Sequence, residues 1–150
     1  MNRRHRVRRV VNYVNLATPL GLLLSVVGGA TRRPGPDGLV LACGYRYRFP
    51  IAGAFTVGNV VLTRRESLDD RLLAHEARHA TQWACCAGLP MLPLYLLAML
   101  ASVLVCGDQA SYNPFERLAD LDDGGYPRAP VRWRRPADRA DTQVRVAPRE

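Results

Sequence analysis

Two long stretches of the chain carry no charged side chain: Val10–Thr31, of 22 residues, and Ala80–Gly107, of 28. Both must be buried, against lipid or against protein, and whatever fold the rest adopts has to accommodate them. At 150 residues the chain can form one domain with its own hydrophobic core. Its apolar share, 48 %, is ordinary for a folded protein. The clustering of that share, rather than its size, points towards a membrane.

The first stretch follows the leader MNRRHRVRR. A cationic leader before an apolar run reads either as a secretory signal, with Gly28, Gly29 and Ala30 as small residues at a cleavage site, or as an uncleaved anchor helix. The run is nearer to a membrane-spanning length than to a signal core, which favours the anchor. Asn12, Asn15 and Pro19 weaken it, and an amphipathic surface or core helix is the competing reading.

Charge is distributed unevenly. All 21 basic residues are Arg, and the formal net charge is +8. Met1–Tyr13 holds five Arg and no acid, Thr31–His79 eight Arg and five acids, and Asp108–Glu150 eight of each, so the excess lies mostly at the N-terminus. Such a leader suits contact with anionic lipid better than nucleic acid, because beyond Tyr13 no aromatic residues are interleaved for base stacking. The four cysteines, Cys43, Cys85, Cys86 and Cys106, form no C-x-x-C pair, which supports neither a zinc ribbon nor a disulfide scaffold.

TRRPGPDG, residues 31–38, reads as a turn from its Pro-Gly and Asp-Gly pairs. Leu39–Arg48 and Ala54–Thr63 are rich in Val, Tyr, Phe and Leu, and they predict a β-hairpin or small sheet. Gly58, inside the second of these, suggests a bulge or a close backbone approach. Ser67-Leu-Asp-Asp70 has the spacing of a capping box, which predicts a helix with Ser67 at its N-cap. Leu68, Leu72, His75, His79 and Trp83 then recur every three or four residues on one face, until Gly88 and Pro90 end the pattern.

Beyond Pro90 and Pro93, MLPLYLLAMLASVLVC predicts an apolar helix up to Gly107. Asn113-Pro114 suits the cap and first position of a last short helix, running to Asp122. After Gly124-Gly125 the chain is rich in Arg, Asp and Pro, and the expectation is a disordered tail, residues 127–150.

HEARH, residues 75–79, carries the chemistry. Two His at i and i+4 on a helix bring their imidazoles to one metal, and the Glu between them reaches water at that metal. This makes His75 and His79 ligands and Glu76 the general base, with a pair of hydrogen-bonded core histidines as the bland alternative. A catalytic zinc site needs a third protein ligand. Downstream, Glu116 and Asp120 stand at i and i+4 on one predicted helical face, so that one carboxylate can bind metal while the other orients a ligand His. Cys85 and Cys86 offer thiolates in place of Glu116, but their apolar surroundings favour inert thiols. Tyr112 and Tyr126 are candidates for an oxyanion or substrate contact, with packing as the competing role. Arg64, Arg65 and Arg78 read as a solvated face.

HEARH followed by ExxxD, Glu116 to Asp120, resembles the gluzincin pattern of thermolysin-like metallopeptidases. FTVGNVVLTRR, LLAHEARHATQW, GLPMLPLYLLA and YNPFERLAD, in that order, are similar to a group of small uncharacterised bacterial membrane-associated proteins of metallopeptidase type, over roughly residues 50–126. The resemblance implies zinc as cofactor, Glu116 as third ligand, Asp120 as the partner of His75, and a peptide or protein substrate. It also implies that the strand before the motif helix, Phe55–Leu62, is an edge that pairs with extended substrate. His79 and Glu116 lie further apart than in the compact gluzincins, with an apolar segment between them.

That segment raises a question of topology. If Val10–Thr31 and Ala87–Cys106 both crossed a bilayer, His75 and Glu116 would begin on opposite sides of it. The preferred solution is a re-entrant or surface-lying helix 87–106, broken at Pro90 and Pro93. A site within the membrane and a soluble protein with both helices packed together are the alternatives. Arginines around the motif helix and after Gly107 place both on the cytoplasmic side.

The expected fold is thus α+β: a small hairpin or sheet packed on the HExxH helix, with two apolar, membrane-associated helices. Residues 1–31 form a basic leader and anchor helix, 32–126 a zincin-like metal-binding domain, and 127–150 the tail. The expected function is zinc-dependent peptide hydrolysis. A catalytically inactive, metal-stabilised membrane or assembly module and an Arg-rich binder of anionic lipid or nucleic acid are the competing functions.

Overall fold

The computed structural model describes residues 1–48 and 53–132. It is an α+β fold of five α-helices and a mixed four-stranded sheet. Residues 133–150, most of the stretch expected to be a disordered tail, lie outside the described residues.

The N-terminal apolar run is not one helix. It divides into α1 (Arg3–Val14) and α2 (Ala17–Val27), bent by 73°. Leu16, at the break, has a φ of +66°, and the Asn15 side chain accepts from the Ala17 backbone N–H. Asn12 is fully buried and explains the bend. Its amide donates to the Ala80 carbonyl and to Asn59, while Asn59 donates to the Thr18 hydroxyl and the Arg9 carbonyl. The polar residues that weaken the run as a membrane helix are therefore satisfied inside the protein. Among the described residues no single helix is long and apolar enough to cross a membrane.

β1 (Thr31–Pro34) occupies part of the stretch read as a turn; only its second half, a 3₁₀ turn at Pro36–Gly38, is one. β1 pairs antiparallel with β2 (Val40–Cys43), which is much shorter than the expected strand Leu39–Arg48. The second expected strand is itself a hairpin, β3 (Ala54–Val57) and β4 (Val60–Thr63), folded at Gly58-Asn59. The order is β1-β2-β4-β3, with β2 and β4 parallel. β4 is buried throughout, as its unbroken VVLT run requires of a central strand. Gly58 has a φ of +62°, and a Cβ there would lie 2.4 Å from the Thr18 backbone nitrogen. The close backbone approach expected at this glycine is that of α2 on the hairpin turn.

The two faces of the sheet build two cores. Ala42, Val57, Val60 and Leu62 pack with α2, Trp83 and Met91; Leu41, Cys43, Ala54 and Val61 pack with Leu72, Leu73, Ala77 and Ala80. α3 (Asp70–Cys85) contributes to both, so it lies over the β3 edge. Its N-cap is Asp69 rather than Ser67: the Asp69 carboxylate accepts from the Leu72 N–H at 2.9 Å, and a second acid, Asp70, suits the positive end of the helix.

α4 (Met91–Cys106) is continuous. Pro90 precedes it and Pro93 sits in its first turn, where no backbone hydrogen bond is lost, so neither proline breaks it. The chain then doubles back. The Ser102 hydroxyl donates to the Asp108 carbonyl and accepts from the Tyr112 N–H, and the Arg132 N–H reaches the Val105 carbonyl. Residues 127–132, exposed or half-buried, are tied to the domain by hydrogen bonds of the Pro127 carbonyl and the Ala129 N–H with the Ser111 hydroxyl and of the Arg132 N–H with the Val105 carbonyl. α5 (Pro114–Ala119) begins as predicted, with Asn113 capping the Phe115 N–H and Pro114 at the first position. It ends at Ala119, before the expected Asp122, because Asp120 has a φ of +73°.

Candidate metal centre

α3 presents His75 and His79 one turn apart, 1 % and 8 % exposed, and α5 presents Glu116, 2 % exposed, to both. The His75 Nε2 lies 3.0 Å from the His79 Nε2 and 3.2 Å from the Glu116 Oε2; the His79 Nε2 is 3.6 Å from the Glu116 Oε1. Atoms about 2.0–2.1 Å from a tetrahedral ion are about 3.3 Å from one another, so the three spacings fit one metal.

The outer partners of the two rings decide what the inner nitrogens offer. His75 Nδ1 contacts the Asp120 carbonyl at 2.8 Å, and His79 Nδ1 contacts the Gln82 Oε1 at 2.8 Å. The Gln82 amide nitrogen donates to the Phe115 carbonyl, which fixes the orientation of its side chain. Both partners are acceptors, so each Nδ1 carries the proton and each Nε2 of a neutral ring presents a lone pair. Two such lone pairs facing a buried carboxylate make a set that could hold a cation. A proton on either ring can take the same place. Burial opposes the charged form of both histidines, but the Glu116 carboxylate outweighs it and raises each above the usual histidine value. Glu116, despite burial acting the other way, is held down to about 2 by its hydrogen bonds with His75 and His79. Among the described residues these three are the group able to hold a metal ion.

Comparison with family models, with curated proteins and with solved structures finds no match to this chain.

Glu76, between the two histidines in sequence, is 3 % exposed. The Thr56 hydroxyl on β3 donates to its Oε2 at 2.6 Å, joining sheet to site. Burial raises its pKa, partly offset by His79 and Thr56.

Asp120 stands beside the site but not as its spacing suggests. Its left-handed backbone takes it out of the α5 face and turns its carbonyl, not its carboxylate, to His75. The carboxylate instead accepts from the Asp122 N–H. Tyr126 tilts against His75, with ring centroids 5.8 Å apart. Tyr112 is partly exposed, with the Arg117 guanidinium over its ring and its backbone N–H donating to the Ser102 hydroxyl. Cys85 is exposed and Cys86 half-buried, and neither joins the ligands. The Thr56 carbonyl accepts from the Trp83 indole, so the β3 edge expected to pair with substrate is covered there by α3.

Four supporting residues escaped the sequence. Tyr95 on α4 donates its hydroxyl to the Glu116 Oε1, and its only signal is a lone phenol in an apolar run. Gln82, three residues after His79, was readable as a helical neighbour. Gly124 lies so close to His75 that a Cβ would stand 2.6 Å from the ring Cε1. Arg78, read as solvated, donates to the Ala119 carbonyl and the Asp123 carboxylate, both at 2.8 Å, and secures the end of α5.

Proposed function

We propose that the chain is a zinc-dependent, peptidase-like hydrolase of gluzincin character, with His75, His79 and Glu116 as ligands and Glu76 as general base. One observation carries it: two imidazoles whose outer nitrogens are tied off converge with a buried carboxylate, while a second buried carboxylate occupies the position between the histidines in the motif. When bound, zinc supplies Lewis acidity, polarising a carbonyl and acidifying water. Glu76 takes the proton from the attacking water as the C–O bond forms, and delivers it to the amine nitrogen as the C–N bond breaks. Burial, which raises its pKa above the usual carboxylate value, favours its acting as a base that later returns the proton. Thr56 holds the carboxylate in place.

The test is a Glu76→Gln variant assayed with a fluorogenic peptide library. It is expected to retain stoichiometric zinc and to lose hydrolysis; undiminished turnover would refute the mechanism. A second function, a metal that only braces the fold of an inactive membrane or assembly module, draws support from the burial of every ligand. X-ray absorption on the zinc-loaded protein separates the two, because a structural site carries four protein ligands and a catalytic one keeps a position open.

A further inference from the structure

α4 is apolar on all sides, yet only one side is packed. Met91, Tyr95 and Ser102 face the protein, while Leu92, Leu96, Leu97, Leu100 and Leu104 are 46–64 % exposed. The surface does not stop at the helix. Gly88, in the α3–α4 turn, packs against the Asn15 carbonyl, which brings that turn, with exposed Leu89, to the α1–α2 corner, where Val14 and Leu16 are exposed. On α2, which begins at that corner, Leu23, Val26 and Val27 are exposed as well. An apolar surface of this extent marks an interaction site.

Its neighbourhood states the chemistry of the partner. Leu22, one residue from Leu23, lines a cleft of about 600 Å³ together with Arg9, Arg32, Arg33, Gly35 and Gly38. Among the described residues no ion pair takes an acid to any of these three arginines; Arg33 donates to the Glu66 backbone carbonyl. The first 36 residues hold seven Arg and no acid. Exposed apolar side chains beside unneutralised guanidinium groups match a lipid surface with anionic headgroups, the apolar residues entering the acyl boundary and the arginines taking phosphates.

We infer that the face formed by α4, the α1–α2 corner and the Arg9/Arg32/Arg33 cleft docks on an anionic lipid bilayer without spanning it. The inference is independent of the metal centre. The full chain is to be sedimented with vesicles of phosphatidylcholine alone and of phosphatidylcholine with phosphatidylglycerol. Binding to the anionic vesicles is expected to be at least tenfold stronger and to fall with salt. An Arg32→Glu/Arg33→Glu variant should lose that preference, and Leu96→Asn/Leu100→Asn should lose binding to both vesicle types. These side chains are exposed, so unchanged circular dichroism is expected in both variants, and His75→Ala should bind as the parent does. Equal binding to both vesicles, or binding to neither, overturns the inference. So does retention on nucleic acid with vesicles left unbound, or a dimer that covers α4 and ignores vesicles.

Discussion

His75 and His79 each spend one ring nitrogen on the fold and leave the other for the cluster. The acceptors that impose this, the Asp120 carbonyl and the Gln82 amide oxygen, set both tautomer and ring orientation. Gln82→Leu would leave His79 free to turn its lone pair outward. Zinc affinity is expected to fall by about 10–100-fold, measured by competition with a chromophoric chelator. Gly124→Ala tests the same idea sterically, since the added methyl must displace the His75 ring. A comparable loss is expected there, with the helix content unchanged; unaltered zinc binding in both variants would show that the rings need no such support.

At the scale of elements, the polar network of Asn12, Asn59 and Thr18 joins α1, α2, α3 and the β3–β4 turn. Asn12→Leu removes the donor to the buried Asn59 Oδ1 and the side-chain donor to the Ala80 carbonyl, and is expected to cost about 1–3 kcal/mol, read as a lower urea midpoint with the slope unchanged. What was legible in the sequence had local causes. The spacing of HEARH places two imidazoles together on any helix, and Asn113-Pro114 starts α5 because cap and first turn are set by adjacent residues. What was not legible depends on distant partners. The break at Leu16 follows from where Asn12 finds its acceptors, and β1 is a strand because β2 lies beside it. The i, i+4 spacing points to the Asp120 carboxylate, but its carbonyl is what meets His75, because the backbone leaves the helical path one residue after α5. Glu116 was identified with the correct residues as neighbours, but Tyr95, its hydroxyl partner, comes from an element that spacing alone could not bring to it.

For the whole molecule, the cluster joins α3 to α5 across the excursion made by α4, so a cation bound there would be linked to the fold. A ligand bound only by the folded chain at a hundredfold excess over its Kd stabilises by about 2.7 kcal/mol, or about 5–10 °C in Tm for a chain of this size. Zinc is expected to raise Tm by that order and a chelator to reverse it; a calorimetric Tm indifferent to both would remove the metal from the account. The position of α4 between the ligands also has a temporal meaning. During synthesis both imidazoles leave the ribosome while the carboxylate that completes their set is still to be made, 37 positions after His79. If a cation is held here, the nascent chain would meet it with two imidazoles alone until α4 has been laid down and α5 has closed over the pair.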